Sequence, residues 1–112
     1  MDVSPLAEQP CLPSCEKTAL LSSDEAYHYL EGLDGWSITE TGHLYRRFEF
    51  RDFATALSFT NALGALAEMV GHHPDIGLGW GRVEVSVWSH ELDGLQRADF
   101  ILAARIDRIP RS

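Results

Sequence analysis

Between residues 82 and 88 every second side chain is a valine, at Val83, Val85 and Val87. The positions between them carry Glu84, Ser86 and Trp88, which are polar or amphipathic. A period of two is typical of a β-strand that buries one face and leaves the other open. Sheets with one open face are usually antiparallel, because the crossovers of parallel sheets place helices on both faces. This stretch therefore predicts an antiparallel sheet covered on one side.

A long helical pattern precedes that strand. Apolar residues recur with helical spacing from residue 53 to residue 70, and Asp52 can cap the first turn. Gly71 is suited to end the helix, and Pro74 prevents it from resuming. The sequence therefore predicts a single long helix that stops just before residue 72.

Two shorter helices are predicted nearer the ends of the chain. Ser22 and Glu25 fit a capping box in front of a helix that Gly32 or Gly35 ends. The last helix is expected at about residues 95–109, after a turn at Asp93 and Gly94.

A hairpin is predicted between the first two helices. Residues 36–39 and 43–50 are typical of strands, and the turn between them lies at residues 40–42. Arg46 interrupts the apolar face of the second strand, so we expect it near the edge of that strand.

The predicted order of elements is αββαββα, with no signal for a crossover. This order indicates an α+β fold class, a four-stranded antiparallel sheet with three helices packed on one face. The prolines at positions 5, 10 and 13 predict a flexible N-terminal arm over residues 1–20, ahead of one domain at 21–112.

Charge and hydropathy exclude some classes of partner. The net charge is −8, and no basic stripe is present, which argues against nucleic acid. No apolar run approaches the ~20 residues of a membrane span, and the N-terminus lacks the features of a signal peptide. We therefore expect a cytoplasmic protein in which Cys11 and Cys15 are free thiols, although their spacing is also compatible with half of a zinc site.

Three of the five histidines lie between residues 72 and 90. His72 and His73 follow the predicted end of the long helix, and His90 follows the alternating strand. Imidazole both takes and gives a proton near neutral pH. We therefore predict that these rings converge on a proton-transfer site, with Asp99 oriented to accept the second N–H of one ring.

Other roles for these histidines stay open. Three histidines can hold zinc, but no H-E-x-x-H is present, and Glu68 with His72 is a single match to the helical spacing. The histidines can also cap helix ends. A nucleophilic mechanism is disfavoured, because no cysteine or strained serine motif lies near the cluster. Surface positions are expected for His28 and His43.

Several motifs together resemble the pterin-4a-carbinolamine dehydratase family. They are the run from Gly71 to Pro74, the downstream pair Ser89 and His90, and the start of the last helix at Gly94, Leu95 and Asp99. The similarity continues upstream through Gly35-Trp36, residues 48–53 and residues 56–59. It covers roughly residues 22–107.

This resemblance implies a hydro-lyase that removes water from 4a-hydroxytetrahydropterin and gives quinonoid dihydropterin. Such an enzyme supports tetrahydropterin recycling for an aromatic amino acid hydroxylase such as phenylalanine hydroxylase. It needs no metal or other cofactor, and it is expected to form a homodimer or homotetramer. The implied catalytic residues are His72, His73, His90 and Asp99. The implied substrate-binding residues are Gly71, His72, His73, Pro74, Trp88, Ser89, His90 and Glu91.

The resemblance also leaves a different function open. Animal members of the family act as dimerisation cofactors of a transcription factor, so a protein-interaction module without catalysis is the alternative. Two departures affect the site: Gly71 has no side chain to contact substrate, and the segment from Ile76 to Trp80 is unusually rich in glycine. Trp88 is predicted either to form an aromatic wall for the flat pterin or to pack on the sheet.

Overall fold

A computed structural model describes residues 20–111. Its helices are α1 (Ser23–Leu30), α2 (Phe53–Val70) and α3 (Arg97–Asp107), and its strands are β1 (Ser37–Ile38), β2 (Leu44–Glu49), β3 (Asp75–Gly79) and β4 (Arg82–Val87). The order is the predicted αββαββα. Cys11, Cys15 and all of the predicted arm except Leu20 lie outside the described residues.

The four strands form one antiparallel sheet in the order β1-β2-β4-β3. Val83, Val85 and Val87 are fully buried, whereas the residues between them are half-buried on the other face. The valines share one core with the buried faces of all three helices. The predicted α+β fold, with helices on one side of the sheet, is therefore confirmed.

The predicted helix ends are also confirmed at three positions. The Ser22 hydroxyl accepts from the Glu25 N–H at 3.2 Å, and the Glu25 carboxylate accepts from the Ser22 N–H at 3.0 Å. Asp52 caps α2 by accepting from the Thr55 N–H at 2.8 Å. Gly71 ends α2 with φ of 69°, a left-handed conformation that glycine adopts without the steric cost of a Cβ.

Arg46 lies on the core side of β2, with its guanidinium 4.5 Å from the centre of the Phe48 ring. The two residues of β1 pair with Leu44 and Tyr45, so Arg46 lies just past the end of β1. Its charge is paired, because it donates to Asp107 at 3.0 Å and to the Asp34 carbonyl at 2.8 Å. A partner distant in the chain allows this cation to lie beside the core.

Helix α2 is long and apolar enough to cross a membrane, with a mean hydropathy of 1.2. By itself this is weak evidence for a span, because core helices share both properties. In this fold α2 packs against the core through five buried residues, Ala56, Phe59, Leu63, Ala67 and Val70.

Candidate active site

The two adjacent histidines lie at the corner between α2 and β3. After Gly71 turns the chain, the His72 N–H donates to the carbonyl of Ala67 at 3.2 Å. Pro74 follows His73, and β3 begins one residue later. Because both histidines lie beyond the last helical residue, the helix geometry does not determine the directions of their side chains.

His72 and Asp99 form a buried pair. The Nε2 of His72 donates to Oδ1 of Asp99 at 2.5 Å, and the two side chains are 3% and 0% exposed. The carboxylate is an acceptor, so this contact places the proton of neutral His72 on Nε2. Nδ1 is then the nitrogen left to accept a proton or a hydrogen bond from a ligand.

The second oxygen of Asp99 is held by two further donors. Oδ2 accepts from the Gln96 N–H at 2.7 Å and from the Ser89 hydroxyl at 2.9 Å. The same hydroxyl lies 2.8 Å from Oε1 of Gln96. All four side chains of this network, His72, Asp99, Ser89 and Gln96, are buried. Buried polar networks of this kind fix geometry, because an unmet hydrogen bond inside the protein is costly.

Two residues of this network add to what the sequence indicated. The hydroxyl of Ser89, a predicted substrate-binding residue, is engaged by Asp99 and Gln96, and its contact with substrate stays a prediction. Gln96 was not predicted at all. It occupies the N-cap of α3, a position where glutamine is not a preferred residue, and that mismatch was the available signal.

His73 lies on the surface, away from this network. Its Nε2 donates to Oε2 of Glu68 at 2.5 Å, and the two side chains are 60% and 78% exposed. The spacing of Glu68 and His72 therefore does not correspond to a contact, since Glu68 pairs with the next histidine. No group of three His, Cys, Asp or Glu side chains suited to a metal ion occurs within residues 20–111.

His90 lies in the turn that connects β4 to α3. Its ring packs on Trp88 at a centroid distance of 4.2 Å and an angle of 41°. Trp88 also stacks on His43, whose side chain is only 19% exposed, so His43 is half-buried rather than at the predicted surface position. Within residues 20–111 no hydrogen bond or ring contact joins His90 to His72 or His73. Glu91 and Gly71 are exposed beside these residues.

A groove of about 570 Å³ lies on the open face of the sheet and borders the histidine corner at Pro74. Its lining includes Asp75, Tyr45 and Glu84 but none of the three histidines. The Tyr45 hydroxyl donates to Glu84 at 2.6 Å. This bond raises the pKa of Tyr45 and lowers the pKa of Glu84.

Comparison with known proteins identifies the family. A family model described as pterin 4 alpha carbinolamine dehydratase matches residues 19–109. The chain belongs to this family. A provisionally named pterin-4-alpha-carbinolamine dehydratase from Alkaliphilus metalliredigens is 45% identical over 104 residues, which are 92% of this chain and 94% of the relative.

Two solved structures resemble the fold of this pterin dehydratase family member. A protein described as a transcriptional coactivator/pterin dehydratase, from Brucella melitensis, has a TM-score of 0.77 and 30% identity; the match covers 81% of this chain and 98% of that one. A pterin dehydratase-like protein, described as a RuBisCO assembly factor in the alpha-carboxysome, has a TM-score of 0.58 and 31% identity, covering 67% and 88%. The family thus includes proteins described by activities other than dehydration.

Proposed function

We propose that this protein is a hydro-lyase that dehydrates 4a-hydroxytetrahydropterin to quinonoid dihydropterin. The observation that carries the proposal is the buried pair of His72 and Asp99 in a chain of this family. His72 is the first residue of the run His72-His73-Pro74. The proposed role is tetrahydropterin recycling in the cytoplasm for an aromatic amino acid hydroxylase.

The reaction consists of two proton transfers and the loss of water. The bond from C4a to the hydroxyl oxygen breaks, and the hydroxyl leaves as water after it takes a proton from an acid. A base removes the proton on N5, and the N5 electron pair forms the new double bond to C4a. Carbon and nitrogen are not oxidised or reduced by any external reagent, so we propose that imidazole acid–base chemistry suffices without a resident cofactor or metal.

We propose that His73 and His90 are the proton-transfer groups that flank C4a. Both are exposed, which leaves their rings accessible to a substrate from solution. His72 and Asp99 orient the substrate: Asp99 fixes the tautomer, and Nδ1 of His72 presents an acceptor. Gly71, Pro74, Trp88 and Glu91 border these groups in sequence and are proposed to line the bound pterin.

The test is dehydration of freshly generated 4a-carbinolamine by purified protein treated with a chelator. We expect activity above the uncatalysed rate in the wild type and its loss in His73→Ala and His90→Ala. His28→Ala is the matched control, because His28 is an exposed histidine on α1. Wild-type activity that depends on added metal, or full activity in both site variants, would overturn the proposal.

We propose that the protein self-associates through the solvent-exposed side of α2. The exposed arc of this helix contains six apolar residues, Phe53, Ala54, Leu57, Ala62, Ala65 and Met69. Its polar residues are Ser58, Asn61 and Glu68. An arc of this composition is unfavourable in water and is typical of an interface. We propose a homodimer or homotetramer, and we expect Leu57→Glu to reduce the mass measured by sedimentation.

The same arc favours a second candidate function, a protein-interaction module. The solved relatives described as a coactivator and as an assembly factor support this alternative. Two variants distinguish these functions. An interaction module would keep its function in His73→Ala and lose it in Leu57→Glu. The dehydratase would lose turnover in His73→Ala.

A further inference from the structure

The register of β2 against β4 brings two aromatic rings together on the open face of the sheet. Leu44 pairs with Val87 across β2 and β4, which places His43 opposite Trp88 at the end of the ladder. Leu44 and Val87 are fully buried. Because successive side chains alternate between faces, His43 and Trp88 both lie on the open side of the sheet.

The contact between these rings is close and parallel. Their centroids are 3.9 Å apart, and their planes differ by 5°. A face-to-face contact at this distance limits rotation of the indole, because turning the ring would drive its edge into the imidazole. Trp88 is therefore held by its cross-strand neighbour.

His43 is itself held at several points. Its backbone N–H donates to the Thr39 hydroxyl at 3.2 Å, and Nδ1 lies 3.4 Å from the Thr41 hydroxyl. Among residues 20–111 Nε2 has no hydrogen-bond partner, and it lies 3.7 Å from Oδ1 of Asp93, in the same turn as His90. These contacts hold the imidazole beside the β4–α3 turn.

Trp88 is the side chain that restricts His90. The two rings lie 4.2 Å apart, and within residues 20–111 no hydrogen bond or ion pair of the His90 side chain competes with this contact. His90 is exposed at the start of a turn, so without the indole its ring would sample several rotamers. The three rings thus form a continuous series of contacts from the β1–β2 hairpin to the β4–α3 turn, with His43 stacked on Trp88 and His90 tilted against it.

We propose that His43 and Trp88 are positioning residues whose stack holds the ring of His90 in the orientation needed for proton transfer. This inference rests on the proposed function, because it assumes that His90 transfers a proton. It assigns His43 and Trp88 a role that acts through His90. A displacement of a reacting group by about 1 Å is enough to cost about 100-fold in rate.

The test combines NMR of the His90 ring with steady-state kinetics. The His90 signals are identified as the ring-proton resonances lost in His90→Ala. In His43→Ala we expect these resonances to move towards those of a free imidazole and kcat to fall about 10-fold or more, with little change in KM. Trp88→Leu should shift the same resonances. The planar replacement His43→Phe should retain most of both properties, and His28→Ala should change neither.

Two results would overturn the proposal: unchanged His90 resonances in folded His43→Ala protein, or shifted resonances with an unchanged kcat. Inactivity of the wild type would instead refute the proposed function. The NMR measurement still decides in that case whether the stack holds His90.

Discussion

His72 donates from Nε2 to Oδ1 of Asp99 across 27 positions of sequence, joining the end of α2 to the first turn of α3. Both side chains are buried, whereas His73 is exposed and paired with Glu68. Adjacent histidines therefore have different surroundings. The buried ring is fixed in one tautomer, and its exposed neighbour is accessible to solvent.

Replacing Asp99 by Asn should reverse the tautomer of His72. The introduced side-chain amide would donate to Nε2 and move the ring proton to Nδ1, so His72 would present a donor in place of the acceptor that we propose for substrate binding. We expect kcat/KM for dehydration to fall by about 10- to 100-fold, corresponding to ~1–3 kcal/mol for an unmet hydrogen bond. ¹⁵N NMR of the ring reports the tautomer. Asp34→Asn, at an exposed carboxylate, should leave both measurements unchanged.

His72→Ala and His73→Ala should separate stability from activity. His72→Ala leaves Asp99 buried without its hydrogen-bond donor, which we expect to cost about 3–5 kcal/mol in urea unfolding. His73→Ala removes a surface pair worth about 1 kcal/mol or less, yet it should lower the dehydration rate about 100-fold or more. Equal stability of the two variants would contradict the difference in burial on which the assigned roles depend.

Local chemistry made most of the fold predictable. Ser22 with Glu25, Asp52 and Gly71 mark helix ends through contacts within a few residues, and the valines of β4 report burial through a period of two. The ion pair of Arg46 was not predicted, because the partner that neutralises it, Asp107, lies 61 positions away. A sequence pattern does not reveal such a distant partner.

The site was less predictable for the same reason. The pairing of Asp99 with a histidine was expected, since α3 and the histidine motif both pointed to acid–base chemistry. The partner of His73 was not, because Glu68 has the helical spacing that favours His72. His43 was assigned to the surface, since its contact with Trp88 depends on the register of β2 against β4.

The contacts of Asp107 should stabilise the domain without affecting the reaction. Its carboxylate accepts from the Trp36 indole at 2.9 Å and from Arg46 at 3.0 Å. Asp107→Ala removes the acceptor of both donors, and we expect a loss of about 1–3 kcal/mol in urea unfolding. A double-mutant cycle with Trp36→Phe should show coupling of at least about 0.5 kcal/mol. This role would be contradicted if the two substitutions had additive effects on stability. It would also be contradicted if Asp107→Ala lowered kcat at a temperature well below its melting temperature.

The bond between Tyr45 and Glu84 should make stability depend on pH at both extremes. The pKa of Glu84 is lowered from 4.5 by this bond, so its contribution is present above that value and is lost as pH falls through the folded pKa. The pKa of Tyr45 is raised from 10.0, so its contribution is present below that value and is lost as pH rises through the folded pKa. Tyr45→Phe should therefore lower the melting temperature slightly at pH 7 and have progressively less effect below about pH 4 and above about pH 10.

Melting curves of wild type and Tyr45→Phe at pH 3, 7 and 11 measure this difference. Tyr27→Phe is the matched control, because Tyr27 is exposed on α1. A difference between wild type and Tyr45→Phe that is constant across this range would show that lost packing, rather than the hydrogen bond, causes the effect.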